Sequence, residues 1–339
     1  LRGTVAIVVL NWNGWQRTVE CLEAVERQDF PRRLAVVVDN GSSDGSAARL
    51  REWAEGGGVT AVAYTRAEAE SGGTSTGEAA LRASAGARRV VIVENGANLG
   101  FAAGNNVGVR YALTCGAEGV LLLNNDLLLG ADTLSRLVAT LTAHPGWAGV
   151  APKVLARRDP RQILYAGGAL RLGAAQGVHI GRSRRDGARW TGCRETEHLT
   201  ACCALFRSVF LRDAGLLDEA FFFGHEDAAL SVVARRLGWR LGVDLDCAVL
   251  HEEGASLSAA RALSVYYFSK YRLLLLRKYG SRLDRAVAPL FLLTTRLLKL
   301  SFLAARGRGA LVRAELAGYR DFFAGRLAAF DRARTVDDA

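Results

Sequence analysis

The chain of 339 residues contains no methionine. Without even an initiator, the sequence is expected to lack its true N-terminus. It opens almost directly on a strand-like run, and no basic, apolar and small-residue leader of the secretory kind is visible. The six cysteines, Cys21, Cys115, Cys193, Cys202, Cys203 and Cys247, form no CxxC pair and lack the density of a disulfide scaffold. A reduced, cytoplasmic setting is the simplest reading. No internal repeat is seen. Widespread disorder is excluded by a hydrophobic content of 50%, enough for one large core or one core plus a smaller appendage.

Charge is present but unevenly placed. The formal net charge is +10, and residues 255–339 carry 16 Lys and Arg against 6 Asp and Glu, so the excess lies in the C-terminal quarter. A basic patch confined to one segment points to an anionic partner for that segment, membrane lipid or nucleic acid. No DNA- or RNA-binding module is recognisable. Tyr266 to Tyr279 and Leu290 to Ala305 mix Leu and aromatic residues with Lys270, Arg272, Arg277, Lys278, Arg296 and Lys299, which fits lipid better. Arg296 and Lys299 would each cost roughly 2.5 to 3.5 kcal/mol inside a bilayer. A helix lying in the membrane interface, cations outward and leucines inward, avoids that cost. The alternative is a helix packed on the rest of the chain or on a second subunit, and a homo-oligomer stays open.

The remainder alternates strand-like and helical patterns. Val5 to Leu10 and Leu34 to Val38 are compact apolar runs that end in Asn11-Trp12-Asn13-Gly14 and Asp39-Asn40-Gly41-Ser42. Both read as buried parallel strands, and helical spacing over Thr18 to Arg27 makes a βαβ unit. A helix over Ser46 to Trp53 and a short strand over Val59 to Ala63 follow. Glu68 to Gly86, rich in small and polar residues without apolar periodicity, reads as a mobile insertion. Val90 to Val93 restores a strand and Phe101 to Leu113 a helix. Residues 131–142 look helical, Gly149 to Val154 extended, Ala228 to Leu237 helical, and Leu241 to Leu250 like one or two strands. Residues 156–200, rich in Arg and Gly, are expected to supply loops and short strands on an acceptor side.

Three polar signals stand out against this frame. The apolar run from Val120 ends abruptly in Asn124-Asn125-Asp126. A buried strand that stops at two amides and a carboxylate puts them at the sheet's carboxyl edge, where open α/β folds bind ligands. Asp126 is therefore a candidate metal ligand. His225-Glu226-Asp227 precedes a helical pattern, and His251 follows a strand-like run. Together they indicate an enzyme acting on a nucleotide-diphosphate substrate. Each has a plainer reading alone: Asp126 an ordinary strand-end acid, His251 a structural histidine, Glu226-Asp227 a helix cap, Asn40-Gly41 a turn.

The runs Val5 to Asn13, Val38 to Gly45, Asn98 to Asn106, Asn124 to Asp126 and Glu226-Asp227, in this order, resemble the inverting GT-A glycosyltransferases of family 2. The subgroup they look most like contains bacterial rhamnosyltransferases and galactofuranosyltransferases. The resemblance covers roughly residues 4 to 255. It implies an α/β GT-A fold, with a Rossmann-like, mostly parallel central sheet and helices on both faces, followed by a C-terminal helical region. Residues 1–126 would be the nucleotide-sugar half of a catalytic domain, 127–255 the acceptor half, and 256–339 a basic amphipathic helical region.

By the same resemblance, Leu10, Asn11, Trp12 and Asn13 would contact base and ribose, and Asp39 and Asn40 the base. The second position of that acidic pair is an amide here, able to donate as well as accept. Asn98, Gly100, Phe101, Gly104 and Asn105 would bring backbone and free helix N–H groups to the donor. Asn124, Asn125 and Asp126 stand at the family's DxD motif. Since the first position is Asn124, Asp126 is its one anionic ligand, and His251 matches the metal-binding histidine of the galactofuranosyltransferase-like members. Mn²⁺ or Mg²⁺ would neutralise charge on the departing nucleoside diphosphate. Asp227 would be the base and Glu226 would position the acceptor.

The expected activity is transfer of a sugar, with dTDP-rhamnose the leading donor, to a glycan or lipid-linked saccharide on the inner membrane face during cell-surface polysaccharide synthesis. Galactofuranosyl, glucosyl or N-acetylglucosaminyl transfer from a UDP-sugar, or a silent nucleotide-sugar-binding module, are the alternatives. A nucleotidyltransferase is disfavoured because Leu10 to Trp15 offers no Lys or Arg to cradle phosphate.

Overall fold

In the computed structural model, which describes residues 1–84, 88–252 and 261–327, five short Val- and Leu-rich runs form the first half. They are β1 (Val5–Asn11), β2 (Arg33–Asp39), β3 (Thr60–Thr65), β4 (Arg89–Glu94) and β5 (Gly119–Asn124). Between them run α1 (Trp15–Glu26), α2 (Ser46–Gly56), α3 (Arg66–Glu70), α4 (Ser75–Ala83) and α5 (Gly100–Thr114). The second half holds β6 (Leu127–Leu129), α6 (Thr133–Ala143), β7 (Trp147–Ala156), β8 (Ile163–Tyr165), β9 (Gly168–Arg171), β10 (Gln176–His179) and β11 (Cys193–Thr196). It continues through β12 (Cys203–Arg207), α7 (Ser208–Ala214), α8 (Glu226–Arg236) and β13 (Arg240–His251). Three helices close the described chain: α9 (Arg261–Tyr279), α10 (Arg282–Ala305) and α11 (Gly309–Phe323). The expected boundary at 255/256 lies outside the described residues.

One large sheet has the order β3-β4-β2-β1-β5-β12-β7-β13-β11, and β9 and β10 form a separate hairpin. Pairing is parallel from β3 through β5. β12 enters antiparallel between β5 and β7. The α/β architecture implied by the sequence is present, with its antiparallel pairs gathered in the second half. Val5, Ile7, Val8 and Val9 of β1 are buried, as expected of a strand covered on both faces. Chain order reverses at β1, since β2 lies on one side of it and β5 on the other. That reversal opens a crevice at the carboxyl edge, where Asn11 pairs with Asp39 and Leu10 with Asn124.

Glycines at every fourth position set α5 against this edge. A Cβ on Gly108 would lie 2.7 Å from Val8, and one on Gly104 would lie 2.7 Å from Leu10. At the other end of the sheet, β13 pairs with β6, and His251 sits opposite Leu127.

Two expectations need correction. Residues 68–86 do not form an unstructured insertion over their described part. α3 is held by a capping box between Thr65 and Glu68, and α4 is capped by Thr74. Glu78 of α4 accepts the hydroxyls of Tyr64 and Tyr111, at 3.0 and 2.7 Å. Caps and a polar anchor replace the apolar stripe that sequence periodicity looks for.

The cations of α10 are the second correction. Arg296 and Lys299 turn toward the protein, where Glu315 of α11 lies 3.8 Å from Arg296 and 2.7 Å from Lys299. α9 and α11 are packed helices, bound to the rest of the chain by an aromatic cluster that includes Phe221, Tyr267 and Tyr271. α10 instead exposes Leu283, Val287, Leu290, Leu297, Leu298 and Phe302. It is long and apolar enough to cross a membrane, with a mean hydropathy of 1.5 and only 17% of that window buried.

Candidate active site

The ends of β1, β2 and β5 are joined by one line of hydrogen bonds. Asn125 Nδ2 donates to Thr18 Oγ1 at 2.9 Å, Thr18 donates to Asn11 Oδ1 at 2.7 Å, and Asn11 Nδ2 donates to Asp39 Oδ1 at 2.8 Å. Asn11 is wholly buried and Asp39 nearly so. Ser42 completes the rim: its backbone N–H donates to Asp39 Oδ2 at 3.1 Å, and its hydroxyl accepts from Asn13 N–H at 2.9 Å. Asn13 sits at φ 51°, a left-handed conformation that Asn tolerates better than most residues. Trp12 is exposed beside this rim and Leu10 is half-buried. Sequence reading passed over Thr18 and Ser42, because a hydroxyl at a helix start or turn carries no distinguishing signal.

The loop that leads into α5 is built differently from the expectation. Asn40 is buried, and its amide is fully committed. It donates to Asn98 Oδ1 at 2.9 Å and Gly100 O at 3.1 Å, and accepts from Asn95 Nδ2 at 3.0 Å and Leu99 N–H at 3.1 Å. Gly100 N–H donates to Asn98 Oδ1, and Phe101 N–H to Phe222 O. The N–H groups of Leu99, Gly100 and Phe101 therefore already have acceptors. Asn105 Nδ2 turns back to Phe101 O at 2.9 Å. Gly100 has φ +83°, and a Cβ there would fall 2.4 Å from Phe222 O. Gly100 and Gly104 thus admit protein neighbours, and Asn40, Asn98 and Asn105 lock the loop.

At the end of β5, Asn124 N–H donates to Cys202 O and Asp126 O accepts from Glu252 N–H. Asp126 Oδ1 lies 3.1 Å from His251 Nε2. Among the described residues this buried oxygen has no hydrogen-bond partner, although a bare buried carboxylate oxygen costs about 1 to 3 kcal/mol or more. Two ligands of a hard divalent ion, each about 2.1 Å from it and at right angles, stand about 3 Å apart. The spacing and the unsatisfied oxygen fit Mn²⁺ or Mg²⁺. Among the described residues no third His, Cys, Asp or Glu joins them, so remaining ligands would come from substrate oxygens and water.

Asp227 and Glu226 open α8 after His225, which has φ 72°. Asp227 Oδ1 accepts its neighbour Ala228 N–H at 2.7 Å, and Oδ2 lies 3.3 Å from His198 Nε2. Burial pushes Asp227 upward, but the neighbouring His198 imidazole outweighs it and holds the carboxyl below its ordinary range. Glu226 is buried with no partner for Oε2, and burial followed by the charge of Asp227 raises its carboxyl far above that range. The two neighbouring carboxyls are thus pushed apart, Asp227 toward the ionised form and Glu226 toward the neutral one. Burial and Arg272 drive His225 down to about 4; burial and His198 do the same to His179. The Cys202 thiol, raised to about 12 chiefly by burial, also feels the charges of Asp126 and Asp227. Both carboxylates therefore bear on one region.

The low-salt glycan biosynthesis hexosyltransferase of Haloferax volcanii is 25% identical over 159 residues, or 44% of this chain and 48% of that protein. The chain thus spans about half the length of this curated relative. A mannosyltransferase from Pyrobaculum calidifontis, solved with GDP-Man and Mn²⁺, superposes with a TM-score of 0.54 at 18% identity, over 95% of this chain and 88% of that one. GalNAc-T7, solved with UDP, GalNAc and Mn²⁺, gives 0.52 at 13% identity, over 79% of this chain and 48% of that one. At such identities the structural likeness shows the fold alone. Residues 2–264, which carry every site residue described above, match the family described as "Glycosyltransferase like family 2", and the chain belongs to that family.

Proposed function

We propose that this chain is a metal-dependent inverting glycosyltransferase acting on a nucleotide-diphosphate sugar. The observation that carries the reading is the unsatisfied Asp126 oxygen 3.1 Å from His251 Nε2, at the sheet edge that also receives a strongly acidic Asp227. Asp126 and His251 would hold Mn²⁺ or Mg²⁺, and Asn124 and Asn125 would flank the diphosphate. The ion would supply positive charge to the leaving nucleoside diphosphate.

The chain's own residues account for the rest. Asn11, Trp12, Asn13 and Asp39 form the rim for base and ribose. Asp227 takes the proton of an acceptor hydroxyl while that oxygen forms its bond to the anomeric carbon. The bond from that carbon to the diphosphate oxygen breaks on the opposite face, so one displacement inverts the centre. Glu226, neutral, donates a hydrogen bond to the acceptor. In this reading residues 1–126 hold the donor, residues 127–255 the acceptor, and residues 256–339 the membrane.

A hexosyl donor agrees with the hexosyltransferase relative, and dTDP-rhamnose, a 6-deoxyhexose donor, remains the first choice by motif. UDP-galactofuranose, UDP-glucose and UDP-N-acetylglucosamine follow. The acceptor is a glycan or lipid-linked saccharide at the inner membrane face in cell-surface polysaccharide synthesis. The outward leucines of α10 and the C-terminal charge excess support peripheral attachment to anionic lipid, checked by flotation with anionic and neutral liposomes. The catalytic test is a panel of nucleotide sugars, with Mn²⁺ or EDTA, on wild type and Asp227→Ala. Metal-dependent release of one nucleoside diphosphate, lost in the variant, is expected. Neither turnover nor metal-dependent binding of any donor would overturn the reading.

A further inference from the structure

His198 lies in the segment before β12 and is 2% exposed. Nε2 is 3.3 Å from Asp227 Oδ2, and among the described residues neither ring nitrogen has a well-formed hydrogen bond. A buried imidazole without a polar partner is costly, so its proximity to a carboxylate needs a cause. The ring is held there by close packing. Gly168 of β9 and Gly177 of β10 face it, and a Cβ on either would lie 2.7 Å from Nδ1 or 2.8 Å from Cε1. His179, also from β10, stacks on it at 5.7 Å between ring centroids. Tyr165 of β8 holds the backbone from the other side, its hydroxyl donating to His198 O at 2.7 Å. Strands β9 and β10 close on the imidazole and β8 on its backbone, and among the described residues Asp227 is its one ion-pair neighbour.

We propose that His198 is a positioning residue for Asp227, and that the β9–β10 hairpin clamps its ring against the carboxylate. The proposal rests on the reading of Asp227 as the base. Oδ1 accepts the Ala228 N–H at 2.7 Å and Oδ2 faces His198 Nε2 at 3.3 Å, which restricts rotation of the carboxylate. Glu226 offers a comparison: adjacent on α8, more deeply buried and without such a partner, it is pushed in the opposite direction. The other titratable groups around Asp227 do not supply this effect. His225 and His179 are driven toward neutrality, Cys202 and Tyr165 stay protonated, and Glu226 is itself acidic. The segment from 156 to 200 thereby acquires a role that no local motif announces.

The test uses the full chain and the nucleotide sugar turned over in the donor panel, with Mn²⁺ present. In His198→Ala the acid limb of the kcat profile should move up by about one pH unit or more, kcat at neutral pH should fall, and donor KM should hold. His198→Gln, which keeps a donor without a titratable charge, should recover part of kcat while the limb stays raised. Gly177→Ala leaves every ionisable group in place, and its Cβ would lie 2.8 to 3.1 Å from three atoms of the ring; it should reproduce the loss in kcat. It also serves if His198→Ala does not fold, with unchanged Mn²⁺-dependent nucleotide binding as the sign of an intact chain. A wild-type pH profile in His198→Ala, or in Gly177→Ala a wild-type kcat, would overturn the positioning role. Full turnover in Asp227→Asn would instead sink the base assignment beneath it.

Discussion

Glu315 offers the sharpest test of how the C-terminal helices hold together. Its carboxylate is fully buried where α11 meets α10, with Lys299 Nζ at 2.7 Å, Arg296 Nη1 at 3.8 Å and the Tyr319 hydroxyl at 3.2 Å. Glu315→Gln keeps the volume and one acceptor, but it removes the charge and points an amide donor at a cation. Breaking a buried ion pair by removing one partner costs about 3 to 5 kcal/mol. Here the cations are partly wet, since the Lys299 and Arg296 side chains are 40% and 22% exposed. They regain some hydration, which reduces the cost to about 2 kcal/mol. That corresponds to roughly a 30-fold change in an opening equilibrium. Hydrogen exchange followed by peptide mass spectrometry should show α10 and α11 exchanging faster by about that factor, with β1, β2 and β5 unaffected. Wild-type exchange in α11 would refute the view that Glu315 anchors α10.

Mn²⁺ with a nucleoside diphosphate should raise the melting temperature of wild type, since a ligand at 100 times its Kd adds about 2.7 kcal/mol. Asp126→Ala and His251→Ala should each abolish most of that shift in a thermal melt, and an unchanged shift in both would place the ion elsewhere. Glu226 makes stability depend on pH. Its folded value, raised to about 8 by burial and the charge of Asp227, lies above the ordinary 4.5. The folded chain thus keeps a proton that the unfolded chain releases, so this contribution is full below about 4.5 and is lost as pH rises through about 8. Urea midpoints of wild type should fall relative to Glu226→Gln between pH 5 and pH 9, and parallel curves would contradict the raised value.

The strand ends that form the polar edge of the sheet were legible because their signals are local. The apolar run of β1 stops at Asn11, and that of β5 stops at Asn124. What stayed hidden depends on contacts far apart in the chain. Asn40 and Asn98 read as ligand amides, yet they bond to each other across 58 positions. Gly100 and Gly104 read as room for substrate, and they admit Phe222 and Leu10 instead. His198 carried no motif, because its meaning comes from two glycines whose missing side chains matter only once the hairpin has folded over the ring. In α10 the cations were visible, but their counter-charge lies on the next helix.

The ladder between β13 and β6 has a consequence for assembly. Asp126 and His251 lie 125 positions apart in the chain, and no turn or cap joins them. They meet because His251 is opposite Leu127, the residue after Asp126. Alternate residues of a strand face opposite sides, so a slip of one position would carry His251 to the wrong face of the sheet. The irregularity in β13 between Asp244 and Ala248 lies upstream of this pair, and deleting a single residue from it would shift the register by one. A chain so misaligned would retain all its ligand residues and its buried strands but have no place for the ion. If Asp126 and His251 hold an ion as proposed, its affinity would report the alignment of the last strand, a property that secondary-structure content alone would miss.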